Sequence, residues 1–361
     1  FANALLERIM EEIGITSFIG KYKAQTNYEF DLMGFVRLLI YGRILNPASK
    51  IATVNQNNNY YSDVLKDVYE YNVYDTLSFL YDYKDKLINW VNNRLISKFN
   101  RTTNVIYYDV TNFFFEIEEP DEEEDDLRKM GVSKEHRKQP IVQMGLFMDE
   151  QGVPISIETF PGNTLDHLTL KNALNKSINN LNLDRFILVG DRGMYRGDNS
   201  YYLTNMNNGY IISKSIEKTS KDEKEWIYNQ EGYTVVSKDF KYKSRVIKRK
   251  VKVKDELKDI TEKVVVYFSK KFYDKQMYEN KSFLEFIDKL EKNPENFRIT
   301  KSQSSSLRKF LKKEIINDKT GEILNSKDLK PLLDMDKINK YKESFGYYQI
   351  VTSELDMDDQ K

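Results

Sequence analysis

The chain has 361 residues, no cysteine, and 56 basic side chains against 56 acidic ones. That length accommodates about two or three domains, and a 40% hydrophobic content provides for a core. The lack of cysteine excludes disulfides and thiolate chemistry and suits a reducing cytoplasm, while no apolar run approaches the ~18 residues of a membrane span.

The neutral total is built from separated blocks. Glu118 to Asp126 holds eight acids in nine positions, and Lys241 to Lys254 holds eight basic residues in fourteen. Composition alone is compatible with a basic face for phosphates and equally with solvated loops and an exposed strand.

Residues 1–100 read as a helical region. Apolar residues recur at helical spacing around Leu5, Ile9 and Ile13, again from Leu32 to Ile40, and along Asp75 to Phe99. Asn46-Pro47 breaks the pattern, and Ser49 or Thr53 can cap the next helix. Such a bundle can pack, hold DNA or meet a second subunit. Trp90 reads as a packing residue.

From about residue 103 the period changes. Val105 to Val110 is a run of β-branched and aromatic residues that drives into Asp109 and breaks at Thr111 and Asn112. Ile141 to Met148 and Val153 to Phe160 flank a Gly-bearing turn, which is a hairpin signal. Pro161-Gly162-Asn163-Thr164 follows, with Thr164 or Asp166 as cap of a helix over 165–181. Phe186 to Val189 is a further buried strand and leads through Gly190 to Asp191. A helix near 198–208 and a strand at Tyr210 to Ser213 come next. Three consecutive strands, a helix, then alternating strands and helices predict an α/β fold of the ribonuclease H type, a mixed sheet with flanking helices.

Residues 215–345 interrupt that core as an insertion, β-rich (Thr234 to Val236, Ser244 to Lys254, Glu262 to Tyr267) and then helical (Lys281 to Leu290, Ser305 to Ile316, with a turn at Thr320-Gly321). Trp226 lies in the insertion, where it can pack or stack on a base. The organisation is therefore a helical region at 1–100, a first core part at 101–214, the insertion at 215–345, and a return to the core at 346–361, where Tyr347 to Thr352 is one more strand.

Two strands that each deliver an aspartate at the same end of one sheet can hold a divalent cation. Phosphodiester chemistry needs a deprotonated attacking oxygen and a stabilised leaving oxygen, which ions held ~3.5–4 Å apart supply. Mg²⁺ (or Mn²⁺) takes a few hard oxygen ligands and keeps several waters, so Asp109 and Asp191 fit as metal ligands. Either aspartate alone could equally serve turn chemistry. A phosphatase of the haloacid-dehalogenase class also begins with a strand ending in Asp, but wants a second acid where Thr111 stands. Thr111 can hydrogen-bond Asp109 or end the strand. Asn163 can orient a metal-bound water or satisfy its turn. Arg192 can meet a phosphate or face solvent. His136 and His167, with no cysteine nearby, do not make a zinc site. Lys241, Lys243, Arg245, Lys248, Arg249 and Lys250 alternate with apolar residues as a strand with one basic face would, a candidate DNA-phosphate surface.

Tyr107-Tyr108-Asp109-Val110-Thr111, the segment from Gly131 to Arg137, Pro161-Gly162-Asn163 and Gly190-Asp191-Arg192-Gly193, in this order, resemble the DDE-type transposases of bacterial insertion sequences. The similarity covers roughly 100–361 and is greatest to the branch whose core carries a mostly β insertion. It implies Mg²⁺-dependent cutting and joining of DNA at element ends, with Asp109 and Asp191 as the first two catalytic acids. It also implies element-end and target DNA as partners, a homodimer that pairs two ends, and a bacterial cytoplasmic, nucleoid-associated location. The family's third acid is a glutamate on a helix after the insertion, within a Tyr, Arg, Glu, Lys pattern. Glu217, Glu314, Glu343 and Glu354 lack that context, so the third acid is expected beyond Lys361 and this piece alone is expected to be inactive. The alternative is a transposase remnant that only binds DNA.

Overall fold

A computed structural model of the chain describes residues 2–60, 65, 69–123, 126–133, 138–178, 183–292, 310 and 333–360. His136, Glu314, the segment 134–137, the expected helix at 305–316 apart from Phe310, and the turn at 320–321 lie outside the described residues. The chain is mixed α/β and divides into two compact units, Phe1–Gly209 and Tyr210–Lys361.

The first unit opens with α1 (Ala2–Glu12), α2 (Ile15–Lys23), α3 (Leu32–Leu45), α4 (Lys50–Asn55), α5 (Glu70–Asp82) and α6 (Lys84–Phe99). Their apolar stripes meet in one core that includes Phe18, Leu32, Phe35, Leu38, Val73 and Phe79. Asp31 caps α3 by accepting from the Gly34 N–H, and Ser49 rather than Thr53 caps α4 by accepting from Ala52. The α1–α2 turn passes through Gly14 at φ 80°, and Trp90 of α6 donates to the Gly14 carbonyl at 3.0 Å. A side chain at residue 14 would collide with that indole. Trp90 thus packs, as its spacing indicates.

The sheet of this unit has the order β3-β2-β1-β4, built from β1 (Val105–Phe114), β2 (Ile141–Asp149), β3 (Pro154–Pro161) and β4 (Ile187–Gly190). β1–β2 and β2–β3 are antiparallel, and β4 runs parallel to β1. The β2–β3 turn is held by Asp149, whose Oδ1 accepts from the Gln151 and Val153 N–H groups, with Gly152 at φ 78°. The Arg101 guanidinium, just beyond α6, pairs with the other Asp149 oxygen at 2.8 Å in a buried contact. After β3 come α7 (Asp166–Ala173), one π turn (Leu174–Ile178), β4 and α8 (Gly197–Asn205).

The second unit is organised on an antiparallel sheet of order β5-β9-β8-β7-β6. Its strands are β5 (Gly209–Lys214), β6 (Thr234–Ser237), β7 (Phe240–Val253), β8 (Glu256–Ser269) and β9 (Tyr347–Thr352). Helices α9 (Lys221–Tyr228), α10 (Lys270–Glu279), α11 (Lys281–Lys292) and α12 (Met335–Glu343) accompany it. β7 and β8 pair along their whole length as a hairpin of two fourteen-residue strands, whereas β9 pairs with β8 only from Lys263 to Phe268. The hairpin end from Ile247 to Glu262 therefore extends beyond β9.

Candidate active site

β1 does not stop at Asp109. It continues to Phe114 because β2 stays paired with it to Phe114↔Ile141, so polar Thr111 and Asn112 lie within the strand. What ends near Asp109 is the neighbour. β4 pairs with β1 from Val105↔Ile187 to Tyr108↔Gly190 and stops there. Asp109 and Asp191 are the next residues on the two parallel strands. The Asp191 backbone is still extended, at φ −78° and ψ 176°.

Side-chain alternation then sets the faces. Ile106, Tyr108, Val110 and Leu188 are buried on one side of the sheet. Asp109 is exposed on the other, and Asp191, also exposed, follows directly on the end of β4. Each carboxylate has one oxygen held by backbone: Asp109 Oδ1 accepts from the Val110 N–H at 2.9 Å, and Asp191 Oδ1 from the Gly193 N–H at 2.8 Å. These bonds fix the side-chain orientations. Two hard oxygen donors suit a divalent cation that keeps most of its waters. No group of three or more His, Cys, Asp or Glu side chains is arranged to hold a metal among the described residues.

A third carboxylate stands beside Asp191. Neither Thr164 nor Asp166 caps α7; the N-cap is Leu165, with no side-chain bond, and Asp166 is in the first turn. A Cβ built on Gly193 would lie 3.0 Å from Asp191 Oδ1 and 3.5 Å from Asp166 Oδ2. The two oxygens are thus separated by no more than those distances laid end to end. Helix α7 is tied to β1 at this point. The Tyr108 hydroxyl donates to Thr169 Oγ1 at 2.8 Å, and Thr169 Oγ1 donates to the Asp166 carbonyl at 2.6 Å. Asn163 is exposed, and Gln143 Nε2 donates to the Thr164 carbonyl at 2.6 Å, holding the segment that leads into α7.

No family model and no curated protein matches this sequence. Among solved structures the chain is similar to one described as a cryo-EM structure of piggyBac transposase synaptic complex with hairpin DNA. The identity is 8% and the TM-score 0.34, over 64% of this chain and 50% of that one. The chain thus spans about half the length of that protein, and a likeness this distant carries no argument about function.

Arg192 is exposed in the short turn Arg192–Met194 that follows Asp191. His167 Nε2 contacts the Arg196 guanidinium, which also pairs with Asp198. Burial, and then that guanidinium, push the His167 pKa below the usual histidine value.

The basic stretch in β7 does not present a single face. Lys241, Lys243, Arg245 and Arg249 share one side of the strand, Lys248 and Lys250 the other. Lys243 is 4% exposed, donates to the Asn229 carbonyl at 2.7 Å, and sits 4.3 Å from the Tyr233 ring centre. Burial, then Arg245 and Lys241, lower its pKa. Lys241 contacts Gln230 and lies over the Tyr233 ring. Arg245 covers the face of Trp226 at 4.1 Å, which gives that indole a packing partner. Arg249 is paired with fully buried Glu262, which also accepts from the Tyr210 hydroxyl at 2.7 Å. Lys248 and Lys250 remain exposed, opposite Thr261 and Asp259. An aromatic lining and a buried carboxylate thus account for four of the six basic side chains.

Proposed function

We propose that the chain is the catalytic part of a DDE-type transposase with a ribonuclease H-like core, which cuts DNA at element ends and joins the 3′ hydroxyl to target DNA. The observation that carries this reading is the β1–β4 register, in which Asp109 and Asp191 are the next residues after Tyr108↔Gly190 on two parallel neighbouring strands. The order β3-β2-β1-β4, with only β4 parallel to β1, supports the core assignment.

Asp109 and Asp191 hold Mg²⁺ or Mn²⁺. Such an ion, when bound, supplies Lewis-acid stabilisation of phosphoryl oxygen and lowers the pKa of the attacking hydroxyl or water. The chain's own part is orientation. The Val110 and Gly193 N–H groups pin one oxygen of each carboxylate, so little reorganisation accompanies the chemistry. Lys248, Lys250 and Arg192 meet DNA phosphates. A homodimer pairs two element ends.

A second reading, DNA binding without cutting, is favoured by the absence of a third metal-holding side chain among the described residues. Strand cleavage of end-bearing DNA with Mg²⁺ by the full-length protein separates the two. Metal-dependent cleavage by it that disappears in Asp109→Ala and in Asp191→Ala, with DNA binding retained, supports the enzyme. Binding with no cleavage by the full-length protein supports the remnant, and cleavage retained in either variant removes that residue from the site.

A further inference from the structure

We propose that the cleft between the α2–α3 connection and helix α5 receives a lysine side chain from a basic segment of a protein partner. The cleft measures about 390 Å³ and is lined by Thr26, Asn27, Tyr28, Phe79, Asp82 and Tyr83. That volume is in the range of ligand sites, and aromatic rings beside a carboxylate are the groups that hold an alkylammonium. The proposal does not depend on the metal site.

Phe79 is buried, and its ring stands 6.3 Å from that of Tyr28 and 4.7 Å from that of Tyr83. Asp75, Phe79 and Asp82 follow one another at helical spacing and share one side of α5. Burial first, then the Asp75 and Asp82 carboxylates, push the Tyr28 phenol above its ordinary pKa, so both acids act on a ring that lines the cleft. Neither carboxylate makes a hydrogen bond or an ion pair among the described residues. The Tyr83 ring already takes a cation, since Lys86 Nζ lies 5.0 Å from its centre, although Lys86 does not line the cleft.

The surface beside the cleft suits a larger partner than a small amine. Tyr71, Tyr74, Ser78 and Tyr81 recur at helical spacing on the adjoining side of α5, and all four are exposed. Tyr69 stacks on Tyr71 with ring centres 5.6 Å apart. Exposed tyrosines of this kind supply the contact area of protein interfaces. Charge selects the partner: residues 69–83 hold Glu70, Asp75 and Asp82 and no Lys or Arg, a surface that attracts a basic segment and repels phosphates.

Saturation-transfer NMR, which reads weak binding to a large protein, tests this on the full chain with two capped peptides, Ala-Lys-Ala-Lys-Ala and Ala-Gln-Ala-Gln-Ala. Transfer is expected to the lysine peptide, strongest at the methylene beside the ammonium, and little to the glutamine peptide. Asp82→Asn and Tyr28→Leu, each folded by circular dichroism, are expected to weaken the lysine peptide about 2–5-fold. Equal binding of the two peptides overturns the proposal. Unaltered affinity in Asp82→Asn, a change at an exposed side chain that leaves the core intact, also overturns it. Butylammonium bound as tightly as the lysine peptide assigns the cleft to a small amine and overturns the protein partner. Weakened duplex DNA binding in Tyr74→Ala or Tyr81→Ala, with peptide binding unchanged, gives this face to nucleic acid and overturns it as well.

Discussion

Gly131 and Gly162 approach so closely that a Cβ on Gly131 would lie 1.9 Å from the Gly162 carbonyl oxygen. This backbone-to-backbone contact joins two of the sequence motifs, and Gly162 donates in turn to the Leu127 carbonyl at 3.0 Å. A Cβ on Gly162 would meet the Ile141 carbonyl at 2.1 Å and that of Lys129 at 2.5 Å. Backbone on both sides has no rotamer with which to yield. Gly162→Ala is therefore expected to cost about 3 kcal/mol of stability, read as a shift in urea midpoint. Gly20→Ala serves as contrast. Gly20 sits within α2 with open space at its Cβ, and the change is expected to add about 0.5–1 kcal/mol.

The Tyr108 hydroxyl is buried and bonded to Thr169, and burial pushes its pKa well above the ordinary tyrosine value. Tyr108→Phe removes one hydrogen bond and is expected to cost about 1 kcal/mol. Thr169→Val removes the acceptor and leaves that hydroxyl buried without it, so about 1–3 kcal/mol is expected. Equal urea midpoints for Tyr108→Phe and the unaltered chain would show that the β1–α7 link contributes nothing.

Glu7 and Arg37 give a pH test. Arg37 donates to both Glu7 oxygens and Tyr41 adds a further bond at 2.7 Å; Arg37, offset in part by burial and aided by Tyr41, holds the Glu7 pKa below its ordinary 4.5. The same environment, burial first, pushes Tyr41 up to about 12. The unfolded chain therefore takes up the proton more readily, and the contribution of Glu7 is complete above pH 4.5 and fades as pH falls through its lowered folded value. Urea midpoints of the unaltered chain and Glu7→Gln should differ at pH 6 and converge toward pH 3. A gap that stays constant would mean the pair has no such linkage.

How much of this was legible in the sequence depends on what each element packs against. The strands at 105–110, 141–148, 153–160 and 347–352 declare themselves through apolar runs and alternation, and all four form. β1 overruns its apolar run because Thr111 and Asn112 are paired by Met144 and Gln143 of β2, a tertiary cause. Helices α9 and α10 escaped notice, although Ser220 and Ser269 cap them; Ser220 with Glu223 three residues on is a capping signal. The basic strand misled for a different reason. Lysines occupy both parities of β7, and no local pattern announces that Trp226 and Tyr233 will cover one of them. Asp166 read as a cap because its residue type suits one, but it stands one position inside α7, whose N-cap is Leu165.

The absence of cysteine offers a clean probe of register. Paired positions on neighbouring strands lie ~4.8 Å apart, within the reach of a disulfide. Asp109→Cys with Asp191→Cys is expected to lose both titratable thiols under mild oxidant, while each single variant keeps its own. Two thiols still free in the double variant would place the residues apart.

The claim on which the chemistry depends is that Asp109 and Asp191 together hold one divalent ion, and Mn²⁺ titration followed by electron paramagnetic resonance measures this directly. One bound Mn²⁺ per chain is expected, lost in Asp109→Asn and lost equally in Asp191→Asn while both variants remain folded by circular dichroism. Undiminished Mn²⁺ binding in either variant would contradict it.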